Sequence, residues 1–306
     1  MGLKYLFVSL LAVGSVICME IFHKGLPRTF LGVPNEEKGA KYVVLSAPYD
    51  ATVSYLPGTR RGPAAIIEAS HQVETYDIEL GKDFEDAGIF TEDELECDRG
   101  NAERNCEFVK EAVEAVLQEG KIPVLLGGEH SVSVGAFDAI AEGKDAARTS
   151  VLHIDAHADM REEYEGTKFN HACAMKRCRE KLHAVSVGVR SYSKEEAEEI
   201  KKKKLDVYGV EFDVDEVVKK LKENVYITID LDGFDPSEVP GVGTPEPGGL
   251  HWKQVLALLR KVCEKKKVIG FDVVELCPMP PSVVSDFLAA RLVYKLICYN
   301  EAFGKK

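Results

Sequence analysis

From residue 41 onward, short runs of β-branched and apolar residues alternate with longer stretches of helical period. 'KYVVLSAP', 'IPVLLGG', 'TSVLHIDAH', 'HAVSVGVR', 'LDVYGV', 'VYITIDLDG' and 'VIGFDVVEL' read as strands. Between them, residues 101–119, 131–142, 193–204, 214–223, 251–265 and 282–300 carry apolar positions at helical spacing. Strands apolar at nearly every position, alternating with helices, predict an α/β fold: a parallel sheet covered on both faces. 'KKKK' at 201–204 reads as a solvated helix end, where cations suit the helix dipole. No repeat or low-complexity linker divides the pattern, so a single domain is expected. Ahead of it, 'LKYLFVSLLAVGSVICM' is apolar but lacks an A-x-A cleavage site, and Met19 opens a second plausible start, 'MEIFHKGLP'. The expected division is therefore an apolar extension over 1–18, either an over-long gene start or an export or anchor signal, and a single domain over 19–306.

Composition narrows the partners. The 306 residues carry a formal net charge of -12. An acidic surface disfavours nucleic acid and anionic membranes and favours a cationic ligand. The eight cysteines are scattered, with no C-x-x-C pair. They read as reduced thiols of a cytoplasmic protein, with Cys97 and Cys106 as the pair to consider if a disulfide exists.

The strand ends carry the chemistry. In parallel α/β sheets, ligands bind beyond the carboxyl ends of the strands. One candidate strand runs out into Glu129 and His130, a second into Asp155, His157 and Asp159, a third into Asp230, Asp232 and Asp235, and a fourth carries Asp272 and Glu275. Alternate residues of an extended segment share a face, so Asp155, His157 and Asp159 can meet, as can Asp230 and Asp232. With His130 they make four carboxylates and two imidazoles, an excess of negative charge that burial permits only with cations. Two ions sharing carboxylates would use all six, and mostly oxygen ligands suit Mn²⁺ better than Zn²⁺, with Fe and Co as further fits. Each residue has a plainer reading: His130 as a loop histidine, Asp235 before Pro236 as a cap or turn residue, and His153 as a core or supporting residue. Two ions that activate water near neutral pH suit attack on an electrophilic carbon or phosphorus. A phosphoester would call for Arg or Lys nearby. The motifs instead bring Glu275, a two-pronged partner for a guanidinium.

'GGEHS', 'DAHAD' and 'TIDLDGFDP' together resemble the ureohydrolase family, which includes arginase and agmatinase. The resemblance extends to 'PYDATVSYLPGTRRGPAAIIEAS', 'GVGTPEPGGL' and 'DVVELCP', and departs at Glu129, where the family more often has Asp. It implies a three-layer α/β/α sandwich with a mostly parallel eight-stranded sheet, arginase-like, and two Mn²⁺ ions per subunit. By the resemblance, one ion is held by His130, Asp155, Asp159 and Asp230 and the other by Asp155, His157, Asp230 and Asp232. Glu275 orients the guanidinium, Thr244 helps to stabilise the tetrahedral intermediate, Asp159 passes a proton to the leaving amine, and His171 in 'KFNHACAM' shuttles protons. Read from the residues alone, His171 is a loop or cap histidine. The resemblance also implies a homo-oligomer, trimeric or hexameric, with a small cationic guanidino substrate.

For the substrate, agmatine stands first, hydrolysed to putrescine and urea. The loop 'REEYEGTKFNHAC' lacks the polar stretch with which arginases read an amino-acid carboxylate, and Ser191 stands where arginases commonly have Asp. Glu162, Glu163 and Glu165 either attract a distal amine or merely face solvent. N1-aminopropylagmatine, arginine and guanidinobutyrate are the alternatives. A non-catalytic metal- or polyamine-binding relative would lack a ligand or Glu275, and none is missing. A deacetylase of similar fold would keep one metal site only.

Overall fold

The computed structural model describes residues 27–304. The apolar run and the boundary expected at residue 18 lie outside the described residues. Nine strands are described: β1 (Tyr42–Ala47), β2 (Tyr76–Asp77), β3 (Lys82–Asp83), β4 (Ile89–Thr91), β5 (Ile122–Gly127), β6 (Thr149–Ile154), β7 (His183–Val187), β8 (Asn224–Asp230) and β9 (Lys267–Val274). The helices are α1 (Gly62–Ser70), α2 (Ala102–Gln118), α3 (Ser133–Glu142), α4 (Ala174–Lys181), α5 (Lys194–Lys203), α6 (Val214–Lys220), α7 (Trp252–Lys265) and α8 (Val284–Phe303). Strands β2 and β3 form a separate antiparallel ribbon; the other seven form one parallel sheet in the order β4-β1-β5-β9-β8-β6-β7.

Two-residue alternation sorts the strand side chains into two cores. Val44, Val124 and Ile227 pack with Ile66 of α1, Leu258 of α7 and Leu292 of α8. Val43, Leu125 and Tyr226 pack with Val113 of α2, Phe137 of α3 and Met175 of α4. These are the three layers expected from the apolar strands. None of the described helices is long and apolar enough to cross a membrane.

The expected eighth strand is not formed among the described residues. 'LDVYGV' lies along β7 through one parallel bridge, Val207 to Ser186, and through hydrogen bonds from the Gly188 and Val189 N–H groups to the Gly209 and Tyr208 carbonyls, without forming a regular strand. Its partner β7 ends at Val187, and the next residue, Gly188, has φ +88°, where a Cβ would lie 2.9 Å from the Asp155 carbonyl oxygen. The edge is occupied at the other side instead, by the three-residue β4. The lysines at 201–204 do end α5 in solvent, with Lys204 in the left-handed region. Cys97 and Cys106 are both free thiols.

Strands β5, β9, β8 and β6 are neighbours and all run the same way, so their carboxyl ends share one edge. Ile154 pairs with Ile229 and Asp230 with Val274, which brings the ends level. Gly128 joins three of the chain segments there. Its N–H donates to the Ala47 carbonyl at 2.9 Å and its carbonyl accepts from the Glu275 N–H at 2.7 Å. A Cβ on Gly128 would sit 2.0 Å from the Tyr49 carbonyl oxygen, a backbone atom that cannot yield cheaply. Gly128→Ala is therefore predicted to cost about 1–3 kcal/mol or more and to displace His130 and Glu275. A thermal melt checks this, and an unchanged melting temperature with full activity would contradict the packing described.

A candidate metal centre at the strand ends

The six candidate ligands meet at that edge. Asp155 follows β6 directly, fully buried, and the chain after it carries His157 and Asp159 outward. His130 opens a short helical turn after β5 and is fully buried. Asp230 ends β8 and Asp232 follows in the next turn. His130 Nδ1 lies 3.1 Å from an oxygen of Asp155, 3.1 Å from one of Asp159 and 3.3 Å from one of Asp230. His157 Nδ1 lies 2.9 Å from Asp232 and 3.6 Å from Asp155. His130, His153, Asp155 and Asp159 lie within ligand spacing of one another, as do Asp155, His157 and Asp232, so Asp155 belongs to both groups.

Hydrogen-bond directions settle which face of His130 is bare. The Thr228 hydroxyl donates to Asp272 at 2.6 Å, so it must accept from His130 Nε2–H at 2.9 Å. In the neutral ring, the form that binds a metal, Nδ1 then carries the lone pair, and it is left without a hydrogen-bond partner of good geometry although three carboxylate oxygens surround it. A lone pair facing three carboxylates is repulsive unless a cation sits among them, so this donor set fits a divalent metal ion. A second chain holds Asp155. Arg179 donates to the Ser186 hydroxyl at 2.9 Å, which leaves Ser186 to donate to His153 Nδ1 at 3.0 Å and His153 Nε2–H to donate to Asp155 at 2.7 Å. His153 is thus the supporting residue expected, with both ring nitrogens engaged.

Two of the site residues are held in unusual backbone. Asp159 has φ +50° and Glu275 has φ +65°, a region that costs a non-glycine residue about 1–3 kcal/mol. Glu275 turns back so that its carboxylate accepts from the His130 N–H at 2.7 Å. Burial and the negative charge of Glu129 hold Glu275 well above the usual carboxylate range. A cationic partner would reverse that penalty. Thr244 donates to Asp232 at 3.2 Å. His171 Nδ1 lies 2.7 Å from the Thr52 carbonyl and Nε2 lies 3.2 Å from the Ser54 hydroxyl, and burial pushes the ring down to about 4. Thr244, His171 and Glu275 all line one open cavity of about 280 Å³, together with His157, Asp159, Asp230 and Asp232. Asp235 is not part of it. Its carboxylate accepts from the N–H groups of Ser237, Gly248 and Gly249, which makes it the turn residue expected.

The glutamates of the acidic loop do not line the cavity. Glu162 is paired with Lys168, Lys176 and Arg177, and Glu163 and Glu165 are exposed. From that loop Arg161 and Tyr164 face the cavity instead, the guanidinium 4.6 Å above the ring. Tyr55 and Tyr192 stand exposed at the mouth. Glu196 lines the wall, but both its oxygens are engaged, by the N–H groups of Met160 and Ser193.

Without a cation the cluster must hold protons. Burial and the Asp155 charge push Asp159 up to about 7. Burial opposes charge on His130 and His157, yet the carboxylates around them hold both well above the ordinary 6.5. His153 and His171 are lowered by burial, and their opposing contribution fades as the unfolded imidazoles lose their protons above about pH 6.5. Between about pH 6.5 and 8 the ion-free native state therefore binds more protons than the unfolded chain, and its stability falls as pH rises. Chelator-treated protein is predicted to melt at a lower temperature at pH 8 than at pH 6.5. The increment from added divalent cation is predicted to grow over that range. A flat or rising melting profile would contradict the clustered geometry.

The sequence pattern that defines the family described as "Arginase family" matches residues 40–298. The chain is 40% identical over 281 residues to the N(1)-aminopropylagmatine ureohydrolase of Synechocystis sp., covering 87% of this chain and 92% of that protein. It is 37% identical over 249 residues to an agmatinase of Bacillus anthracis, covering 78% and 84%. It superposes on the agmatine ureohydrolase of Thermoplasma volcanium with a TM-score of 0.83 and 33% identity, over 92% of this chain and 96% of that one.

Proposed function

Since the chain belongs to the arginase family and is a hydrolase of guanidino carbon–nitrogen bonds, we propose that it releases urea from a guanidino compound with a linear amine tail, N1-aminopropylagmatine before agmatine. The observation that carries the chemistry is the bare Nδ1 of His130 among three carboxylates, with Glu275 at the same cavity. The longer amine moves ahead of agmatine because the relative named for it is the more similar, and because the cavity is open and framed by tyrosines that can pack on a methylene chain and on ammonium groups.

His130, Asp155, Asp159 and Asp230 would hold one divalent cation, and Asp155, His157, Asp230 and Asp232 a second, for which Mn²⁺ suits the oxygen-rich set. Bound cations supply a water acidic enough to act as nucleophile near neutral pH and positive charge to offset that of the developing transition state. Glu275 binds the guanidinium through two N–H donors and sets its central carbon over the ligand cluster. Thr244, already hydrogen-bonded to Asp232, adds a hydroxyl beside the reacting carbon. Asp159 accepts the proton released when water adds and gives it to the departing amine. The carbon–oxygen bond forms, the carbon–nitrogen bond to the tail breaks, and a guanidinium plus water becomes urea plus an ammonium ion. His171 exchanges protons with solvent at the cavity mouth.

One observation favours a second reading. Arg161 faces the cavity and makes no ion pair with any described residue. An unpaired guanidinium there suits a carboxylate tail, as in guanidinobutyrate. The test is kcat/KM for urea release from N1-aminopropylagmatine, agmatine, guanidinobutyrate and arginine with Mn²⁺-loaded protein. The proposal predicts the highest value for N1-aminopropylagmatine and agmatine next. Preference for guanidinobutyrate would replace it with the second reading, and no urea from any of the four would overturn both.

A further inference from the structure

The deviation at Glu129 has its own geometry. Glu129 is fully buried one residue before His130, yet its carboxylate turns away from the ligand cluster toward the loop after β1. It accepts from the Thr52 N–H at 2.7 Å, from the Thr52 hydroxyl, and from the Ser131 hydroxyl at 2.5 Å. Thr52 is thereby pinned by both its backbone and its side chain. Its other groups all face the segment that carries His171. The Thr52 carbonyl lies 2.7 Å from His171 Nδ1 and accepts from the Asn170 amide at 3.1 Å, and the Thr52 hydroxyl oxygen accepts from the His171 N–H at 3.3 Å. A carbonyl only accepts, so it selects the tautomer with hydrogen on Nδ1. Nε2 is then the bare nitrogen, directed to Ser54 and the cavity. Tyr164 packs edge-on against the ring, with centroids 6.3 Å apart.

We propose that Glu129 and Thr52 are positioning residues for His171: Glu129 clamps Thr52, and the Thr52 carbonyl holds the imidazole in the tautomer that presents a bare Nε2 to the cavity. This rests on the reading of His171 as the proton carrier. Glutamate has the reach to take both Thr52 donors, and an aspartate at the same backbone position is one methylene shorter. A ring free to change tautomer would present the wrong nitrogen for part of the time, which lowers turnover without weakening the grip of Glu275 on the guanidinium.

The test compares Thr52→Val, Thr52→Ser and Glu129→Asp with the intact Mn²⁺-loaded protein, each alone and in a His171→Ala background. Thr52→Val and Glu129→Asp are expected to lower kcat about tenfold with KM within about twofold, and Thr52→Ser to restore most of it. In the His171→Ala background neither change is expected to lower kcat further, because residues acting through one group are not additive. Losses that multiply with that of His171→Ala would overturn the proposal, as would a Thr52→Val protein with full kcat. Nitrogen NMR of ¹⁵N-histidine-labelled protein, with His171→Ala to assign the ring, reads the tautomer directly. The Nδ1–H form alone is expected in the wild type and a mixture in Thr52→Val; a wild-type ring with hydrogen on Nε2 would sink the idea. That readout needs no activity. A wild type that releases no urea would therefore count against the proposed function, while the spectrum still decides the positioning of His171.

Discussion

Asp155→Asn is expected to lower kcat/KM for urea release by about 10³-fold or more and to leave the protein without its full complement of bound cation. Asp155, like Asp230, is assigned to both ion sites, and its carboxylate is fully buried at the tip of β6. The chain from Arg179 through Ser186 to His153 orients one oxygen, and the His157 N–H donates to the other. An amide keeps the size and can still accept from His153, so the fold should survive. It loses the charge that balances two cations, and a metal's contribution to stabilising transition-state charge is several kcal/mol. Bound metal per chain, measured on the same sample as the kinetics, checks the cause. Normal turnover in Asp155→Asn would mean that the cluster is structural.

Glu275→Gln is expected to cost about 10²- to 10³-fold in kcat/KM while bound metal stays at the wild-type level. Glu275 is nearly buried, strained at φ +65°, and has one oxygen taken by the His130 N–H. Unpaired, its charge is unfavourable there, as its raised protonation range shows. A bound guanidinium would supply the missing positive charge at this buried carboxylate, where truncating one member of a hydrogen-bonded charge pair costs about 2–5 kcal/mol. Gln presents one acceptor and a donor that opposes the guanidinium N–H. If the Gln variant kept its kcat/KM, the substrate would have to be held elsewhere, and Arg161 with a carboxylate tail would become the stronger lead.

Much of this architecture was legible in the chain because the relevant signals are local. Strands β1 and β5 are apolar at almost every position and β6 and β8 are rich in β-branched residues, as a doubly covered parallel sheet requires. In such a sheet every strand end points to one edge, so His130, Asp155 and Asp230 are drawn together by topology. Helices α1 and α4 were not legible. The first is short and opens on Gly62-Pro63, and the second, 'AMKRCREK', buries Met175 and Cys178 beside the largely buried Arg177, so its sequence reads as polar. The supporting residues were hidden for a different reason. Thr228, Ser186 and Thr52 are ordinary polar residues whose partners arrive from 33 to 119 residues away, and no periodicity marks such pairings. The two readings of the acidic loop could not be told apart for the same reason. Only the fold brings Lys176 and Arg177 of α4 against Glu162, and a glutamate so paired does not meet a substrate amine.

The account turns on two cations at one cluster serving urea release, and a single titration tests it most directly. Chelator-stripped protein is titrated with Mn²⁺, and bound metal per chain and urea release from N1-aminopropylagmatine or agmatine are read on the same samples. The account predicts no urea from the stripped protein, binding that saturates at two ions per chain, and full release only as the second ion binds. Urea release that persists in the stripped protein, or that is complete with one ion bound, would contradict it.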